Sequence, residues 1–175
     1  TKTSKKKSFT LTTSTGLATN SRETNQKYSF NYASGQNGKT SFSLAGSFFD
    51  ADPLLKSDGT SYSSFGERKN LHARFDYNPT AEEIITFTAS RLDENTQEYA
   101  NLQTVMGTVK TNILDDNDRS QYSLSYTKNL PDGELYFNAS HSIWNKYNDT
   151  INNYTNQYMN SIYGRTTIST LEGRL

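Results

Sequence analysis

Cysteine is absent from this sequence of 175 residues, which excludes a disulfide-stabilised scaffold and a metal site built from thiolates. No apolar run approaches the roughly 20 residues that a membrane-spanning helix requires, so a helical membrane protein is excluded as well. No secretory leader begins the chain, and we expect that one was removed or that the sequence starts inside a longer protein. Acidic and basic residues balance at 18 each, so charge gives no support for nucleic-acid binding.

Hydrophobic residues are also scarce, at 32%, against roughly 45–50% apolar residues in an ordinary soluble domain. Aromatic residues nevertheless make up 13%, with 12 tyrosines and 9 phenylalanines. Disordered chains are poor in aromatics and usually carry net charge, and this chain has neither property. The composition therefore indicates a chain with little solid core and many aromatic side chains.

Bulky apolar side chains alternate with small polar ones in five segments. Successive side chains of a β-strand point to opposite faces, so this period of two gives each strand one apolar and one polar face. The five segments are 28–32, 42–44, 71–77, 122–126 and 135–139. Their apolar faces can meet one another in a sandwich core, or meet lipid in a transmembrane barrel.

The pattern predicts an all-β fold, an antiparallel up-and-down meander of about eight long strands. The predicted strands span residues 8–18, 27–35, 40–50, 69–78, 83–93, 119–129, 134–147 and 166–175. Several of them have about ten residues, which matches the ~9–11 that cross a bilayer at a tilt, whereas soluble strands average ~5–6.

Connection lengths separate the two interpretations. Residues 36–39, 79–82 and 130–133 have the turn chemistry of compact reversals. The connections 51–68, 94–118 and 148–165 are long, and 19–26 is the mildest of that set. Because alternate connections of a meander lie at the same end of the sheet, short turns gather at one end and long loops at the other. This asymmetry is typical of outer-membrane barrels and predicts a partial transmembrane β-barrel.

The two faces agree with a barrel wall. Small polar residues suit a wet or polar-filled lumen, and they are Ser29, Asn31, Ser41, Ser43, Thr86, Thr88, Ser123, Ser125, Asn138 and Ser140. The residues predicted near lipid mid-depth are Leu11, Phe30, Leu44, Phe75, Phe87, Leu124 and Phe137. An interfacial girdle is predicted for Tyr28, Tyr32, Tyr77, Tyr122 and Tyr126, with Trp144 near the outer end of its strand.

The layout resembles the barrel of a TonB-dependent outer-membrane receptor. The basic run 1–7, followed by 8–11, looks like the exit from such a receptor's plug domain into its first barrel strand, and 171–175 looks like the start of a mid-barrel strand. The resemblance covers the whole chain and depends on layout more than on any single motif. It implies a linker at 1–7 from an upstream plug-like domain and a β-barrel segment at 8–175, about the first third of a 22-stranded barrel.

The resemblance also implies a function and partners. The protein would lie in the outer membrane of a Gram-negative bacterium and take part in import of a scarce nutrient of the ferric siderophore, haem or cobalamin class. Its partners would be outer-membrane lipid, its own plug domain, the TonB complex acting through that plug, and a small iron-chelate-type ligand.

Two alternatives stay open from the residues alone. One is a complete small eight-stranded outer-membrane barrel with a structural or adhesive role, in which His72, Arg74, Asp76 and Arg91 pair inside the lumen. A C-terminal aromatic residue is missing and most inward residues are small, and both features count against it. The other alternative is a soluble β-sandwich binding protein.

Catalytic, cofactor and metal chemistry find no support in the sequence. No nucleophile elbow, nucleophile–histidine pair or phosphate-binding glycine loop is present. His72 and His141 lack ligand spacing, and the acidic run 115–118 reads as a solvated loop tip. We therefore predict no enzyme activity, no cofactor and no metal site.

Ligand binding is predicted in the long loops. Aromatic faces and arginine forks suit planar anionic ligands such as ferric catecholate chelates. The candidate residues are Tyr62, Phe65, Arg68, Tyr154, Tyr158, Tyr163 and Arg165. The alternative is that these tyrosines mark the outer membrane interface.

Overall fold

The computed structural model describes residues 6–17 and 24–175, which form a single antiparallel sheet whose strand order follows the chain. The strands are β1 Ser8–Leu17, β2 Thr24–Asn37, β3 Thr40–Ala51, β4 Phe65–Tyr77, β5 Glu83–Thr104, β6 Gly107–Leu130, β7 Gly133–Asn152 and β8 Tyr158–Arg174. The predicted all-β meander of eight strands is confirmed. Because the described strands share one sheet, they do not build the two packed layers of a β-sandwich.

The three compact turns predicted from the sequence lie together at one end of the sheet. They occupy 38–39, 78–82 and 131–132, and we call this end of the sheet the turn end. The connections 52–64, 105–106 and 153–157 lie at the opposite end, which we call the far end. The predicted linker at 1–7 and the predicted loop at 19–26 fall largely outside the described residues.

Two predicted long loops are wrong, because the strands continue through them. β5 and β6 extend through the segment 94–118 as a paired ribbon that reverses at 105–106, and β7 and β8 leave only 153–157 between them. The acidic run 115–118 is therefore part of β6 and not a loop tip.

Cross-strand amide–carboxylate hydrogen bonds explain why so polar a stretch stays paired. The Asn117 side chain donates to Glu94 Oε2 of β5 at 3.3 Å. On the other side of β6, the Asn148 and Asn145 side chains donate to Asp115 Oδ1 at 2.8 Å and Asp118 Oδ2 at 3.0 Å. These bonds link side chains that would otherwise favour a loop to partners on the neighbouring strands.

The connection 52–64 folds back onto the ribbon. The Ser61 amide donates to the Tyr99 carbonyl at 2.9 Å, and the Tyr99 amide donates to Ser61 Oγ at 3.1 Å. The rings of Phe65 and Tyr99 are 5.0 Å apart. The loop thereby covers the part of β5 that extends past the first residue of β4. Without the loop, this edge of β5 would expose unpaired backbone groups.

Candidate functional site

The sheet has two chemically different faces, visible on β4. Leu71, Phe75 and Tyr77 lie on one face, and His72 and Asp76 lie on the other, as alternation requires. Register pairing extends both sets across the sheet, since Phe75 lies opposite Phe87 and Phe87 lies opposite Leu124. We call these the apolar face and the polar face.

The apolar face is uncovered. Phe9, Phe87 and Leu124 are 67%, 44% and 53% exposed, whereas the only buried apolar residues in the described part of the chain are Ala33 and Phe65. Exposed apolar surface of this extent marks a contact with another protein or with a membrane. The face is therefore a candidate interaction surface and not the inner wall of a core.

The apolar face ends, toward the far end of the sheet, along an oblique boundary. Residues on the far-end side of it are described as above the boundary. Rows of register partners, followed from the far end toward the turn end, trace its course. The first row has Thr13 in β1, is aromatic in β2 and β3, and is charged or polar from β4 onward; it is Thr13, Tyr28, Phe48, Lys69, Asp93, Asp118, Asn145 and Arg165. The second row stays apolar or glycine until β4 and has one later apolar member, and it is Leu11, Phe30, Gly46, Leu71, Arg91, Ser120, Ile143 and Thr167.

The boundary continues downward in the next two rows. The third row stays apolar until β6, and it is Phe9, Tyr32, Leu44, Ala73, Ala89, Tyr122, His141 and Ser169. The fourth row is apolar throughout, and it is Phe42, Phe75, Phe87, Leu124, Ala139 and Leu171. The boundary thus moves toward the turn end by roughly one residue per strand. Strands lie ~4.8 Å apart and rise ~3.3 Å per residue, so a level boundary with this slope requires the strands to tilt by roughly 35–40° from the normal to that level.

The polar face carries small hydrated residues and one buried carboxylate. Asp76 is 3% exposed. It accepts hydrogen bonds from Arg74 Nε at 2.9 Å, Thr86 Oγ1 at 2.7 Å and Ser41 Oγ at 3.4 Å. The predicted pairing of Arg74 with Asp76 is present, on the polar face of the sheet. Arg91 does not join them, because its position in the register places it on the apolar face, 3.9 Å from Asp118.

The first group of predicted ligand residues diverges in the structure. Tyr62 is 65% exposed and lies with its ring 5.5 Å from Lys56 Nζ, whereas Phe65 is buried against Tyr99. Arg68 lies on the polar face, opposite to the face of Phe65. Only Arg68 of this group lines a cleft at the far end.

The second group lies along β8 and the turn before it. Tyr154 and Tyr158 are 76% and 67% exposed. The Tyr163 ring packs at 4.5 Å against Tyr147 on the apolar side. Arg165 shares the face of Tyr163. No hydrogen bond, ion pair or ring contact joins this group to the first one in the described residues.

A cleft of about 300 Å³ opens on the polar side at the far end. Its lining combines strand ends with the loop 52–64, and it consists of Thr24, Asn25, Phe49, Ala51, Asp52, Leu54, Ser63, Ser64 and Arg68. Sequence reasoning found Arg68 and missed the others. Phe49 carried the available signal, because it follows Phe48 directly and adjacent residues of a strand must face opposite ways.

The structure also places Trp144 and the two histidines. Trp144 was expected in the girdle, but it lies on the polar face, because it is an odd number of residues from Phe137 along β7. His72 and His141 lie on opposite faces, and His141 Nδ1 is 2.9 Å from Ser169 Oγ. Within 6–17 and 24–175, no group of histidine, aspartate and glutamate side chains could hold a metal ion.

No helix in the described part of the chain is long and apolar enough to cross a membrane. Comparison of the chain with protein-family models, with curated proteins and with solved structures found no match.

Proposed function

We propose that the chain forms part of the wall of an outer-membrane β-barrel receptor, with its apolar face toward lipid and its polar face toward the lumen. One observation carries the proposal: the apolar face ends along an oblique boundary that descends by roughly one residue per strand. A bilayer has a level surface, so only tilted strands produce such a boundary in the register. The resulting tilt falls in the range of ~35–45° found for transmembrane barrels.

The far halves of the long strands support the same orientation. Above the boundary, neighbouring residues of β5 and β6 are hydrophilic on both faces, with Asp93 and Asp118 on one face and Glu94 and Asn117 on the other. These four residues give β5 and β6 no apolar face to bury at this level, so this part of the two strands stands in water. In the proposed orientation the turn end faces the periplasm, and the paired ribbon of β5 and β6 projects outside the cell, as outer-membrane strands and loops do.

The placement of the far-end cleft supports a receptor function. It opens on the polar face above the boundary, where a lumen-facing site would meet an external ligand first. TonB-dependent receptors combine a wide polar lumen with energy-coupled import, so nutrient uptake of that type is the function that we propose for this chain. Ferric siderophores, haem and cobalamin are the first cargo classes to test, with the chain's own plug domain and the TonB complex as partners.

The lipid contact is tested by a charge placed on either face of β5. Phe87→Arg puts a cation on the apolar face, and Thr88→Arg puts the same cation one residue away on the polar face. We expect Phe87→Arg to lower the free energy of unfolding from liposomes by about 2–4 kcal/mol. Thr88→Arg should cost about 1 kcal/mol, the value of its hydroxyl contact with Ser123.

Denaturant unfolding of both variants in liposomes, with tryptophan fluorescence as the readout, measures the two costs. Equal losses for the two variants would contradict a lipid-facing apolar side. A larger loss for Thr88→Arg would mean that the polar face is the packed one.

A further inference from the structure

The far-end cleft has a defined charge balance. Arg68 supplies the cation, but its Nε lies 2.6 Å from Glu94 Oε1, so the guanidinium charge is already compensated. Asp52 is the second charged side chain in the lining and contributes a carboxylate. Counted together, Arg68, Glu94 and Asp52 leave the cleft with one net negative charge, which disfavours a free anion.

Asp52 and Arg68 nevertheless each keep one polar atom available for a hydrogen bond to a ligand. Asp52 Oδ2 accepts from the amide and the hydroxyl of Thr24, both at 3.0 Å, while no described residue bonds Asp52 Oδ1. Arg68 Nη2 donates to Ser64 Oγ at 3.1 Å, while Nη1 has no hydrogen-bond partner among the described residues. An acceptor and a donor are therefore available in one cleft, and Ser63 adds a hydroxyl that can serve as either.

Apolar surface completes the lining. Phe49 lies on the polar face of β3 with the Arg68 guanidinium 6.0 Å from its ring centre, and Leu54 comes from the loop 52–64. A flat ring beside hydroxyl, amide and carboxylate groups suits a ligand that presents C–H surface on one side and hydroxyls on the other. A small pocket of about 300 Å³ fits one or two sugar-sized rings.

We propose that this cleft binds an uncharged polyhydroxylated ligand, or such a group on a larger ligand. Ligand hydroxyls donate to Asp52 Oδ1 and accept from Arg68 Nη1, and ligand C–H groups pack against Phe49 and Leu54. This assignment replaces the planar anion expected from the sequence as the occupant of the Arg68 site. It rests on the proposed function, because that function makes the polar face the lumen side.

Saturation-transfer NMR on the full chain folded in detergent micelles tests the assignment with two probes. Maltose is the neutral polyhydroxylated probe, and 2,3-dihydroxybenzoate is the planar anionic one. We expect a maltose signal and no signal from 2,3-dihydroxybenzoate. Asp52→Asn should weaken maltose binding about tenfold, because it replaces a charged acceptor by a neutral amide.

Leu54→Trp provides a second variant whose folding is less at risk, because Leu54 is 41% exposed in the loop. The larger side chain narrows the cleft and should abolish the maltose signal. Tyr62→Ala is the matched control, since Tyr62 belongs to the same loop and does not line the cleft; its signal should equal that of the unmodified chain.

Absence of a maltose signal, a signal from 2,3-dihydroxybenzoate alone, or a maltose signal unchanged in Leu54→Trp would each overturn the assignment. These outcomes leave the proposed function intact when Phe87→Arg still destabilises the chain in liposomes more than Thr88→Arg does. Equal losses in that separate experiment would remove the proposed function whatever the sugar result.

Discussion

Lys69 of β4 lies directly opposite Phe48 of β3, with its ammonium group 5.8 Å from the centre of the phenylalanine ring. The pair marks the point at which one row of register partners changes from aromatic to charged. Phe48 packs on its other side against Tyr28, at 6.3 Å between ring centres, while Lys69 forms an ion pair with Glu67 at 2.5 Å. An apolar contact and a hydrated ion pair thus lie side by side at this pair, as the proposed lipid boundary requires.

The oblique boundary predicts different depths for residues of the same row. Phe48 and Asp118 belong to one row of register partners, but Phe48 lies below the boundary and Asp118 above it. Because the chain contains no cysteine, a single introduced cysteine is a unique labelling site. A nitroxide at position 48 should be accessible to oxygen in the bilayer, and one at position 118 to a water-soluble nickel complex, in power-saturation EPR. Equal depths for the two labels would contradict the tilt.

The Asp76 cluster predicts that the polar face contributes to stability. Asp76→Asn removes the charge that Arg74, Thr86 and Ser41 surround, and a hydrogen bond to a charged group contributes about 1.5–3 kcal/mol. We expect a loss of that size in the free energy of unfolding, measured by denaturant titration. The matched change Asp93→Asn, at a carboxylate with no described hydrogen bond or ion pair, should alter stability by less than about 0.5 kcal/mol. Equal losses of stability in Asp76→Asn and Asp93→Asn would show that the hydrogen bonds and the ion pair of Asp76 do not stabilise the fold.

Gly46 predicts a steric limit on the apolar face. A Cβ at this position would lie 2.5 Å from Phe30 Cε1 of the neighbouring strand, so the ring of Phe30 covers the glycine. Gly46→Ala should therefore cost about 1–3 kcal/mol through overpacking. Adding Phe30→Leu removes the ring atoms concerned and should recover part of that loss. Gly164→Ala in β8, where a Cβ would meet nothing within 4 Å, is the control. A double mutant no more stable than Gly46→Ala alone would mean that the strain lies in the backbone.

Strand order, most face assignments and the three compact turns were predictable, because alternation and turn chemistry are local features of the sequence. A period of two assigns the faces of 71–77, and the Asn37-Gly38 pair sets a tight turn without help from distant residues. The true length of β5 and β6 was not predictable in this way. Asp and Asn are depleted in strands, and only the partners across the sheet, such as Glu94 for Asn117, show that 115–118 stays paired.

To predict the far-end cleft, one would need to know contacts between residues that no local pattern connects. Phe49, Asp52 and Arg68 form one cleft because β3 and β4 pair in one particular register and because the loop between them turns back. A one-residue change of register would move Arg68 away from Phe49, and the sequence does not fix register through a loop of this length. For the same reason, the oblique boundary of the apolar face exists only in the register and is invisible in any single strand.

We expect the folded conformation of the loop 52–64 to depend on pH. Asp58 Oδ1 accepts from the Thr60 amide at 2.9 Å and from the Thr60 hydroxyl at 2.7 Å, and the amide bond is the main reason that the pKa of Asp58 lies below its usual 3.8. A carboxyl whose pKa is lowered by folding stabilises the folded loop above its unfolded pKa, and this contribution is lost as the pH falls through the lower folded value. The amide proton shift of Thr60 should therefore titrate with a midpoint below 3.8, and contact between Ser61 and Tyr99 should weaken over the same range. Asp58→Asn keeps an acceptor oxygen but does not ionise, so its Thr60 amide shift should stay constant there. A midpoint at or above 3.8 in the unmodified chain would show that the carboxylate does not hold the loop.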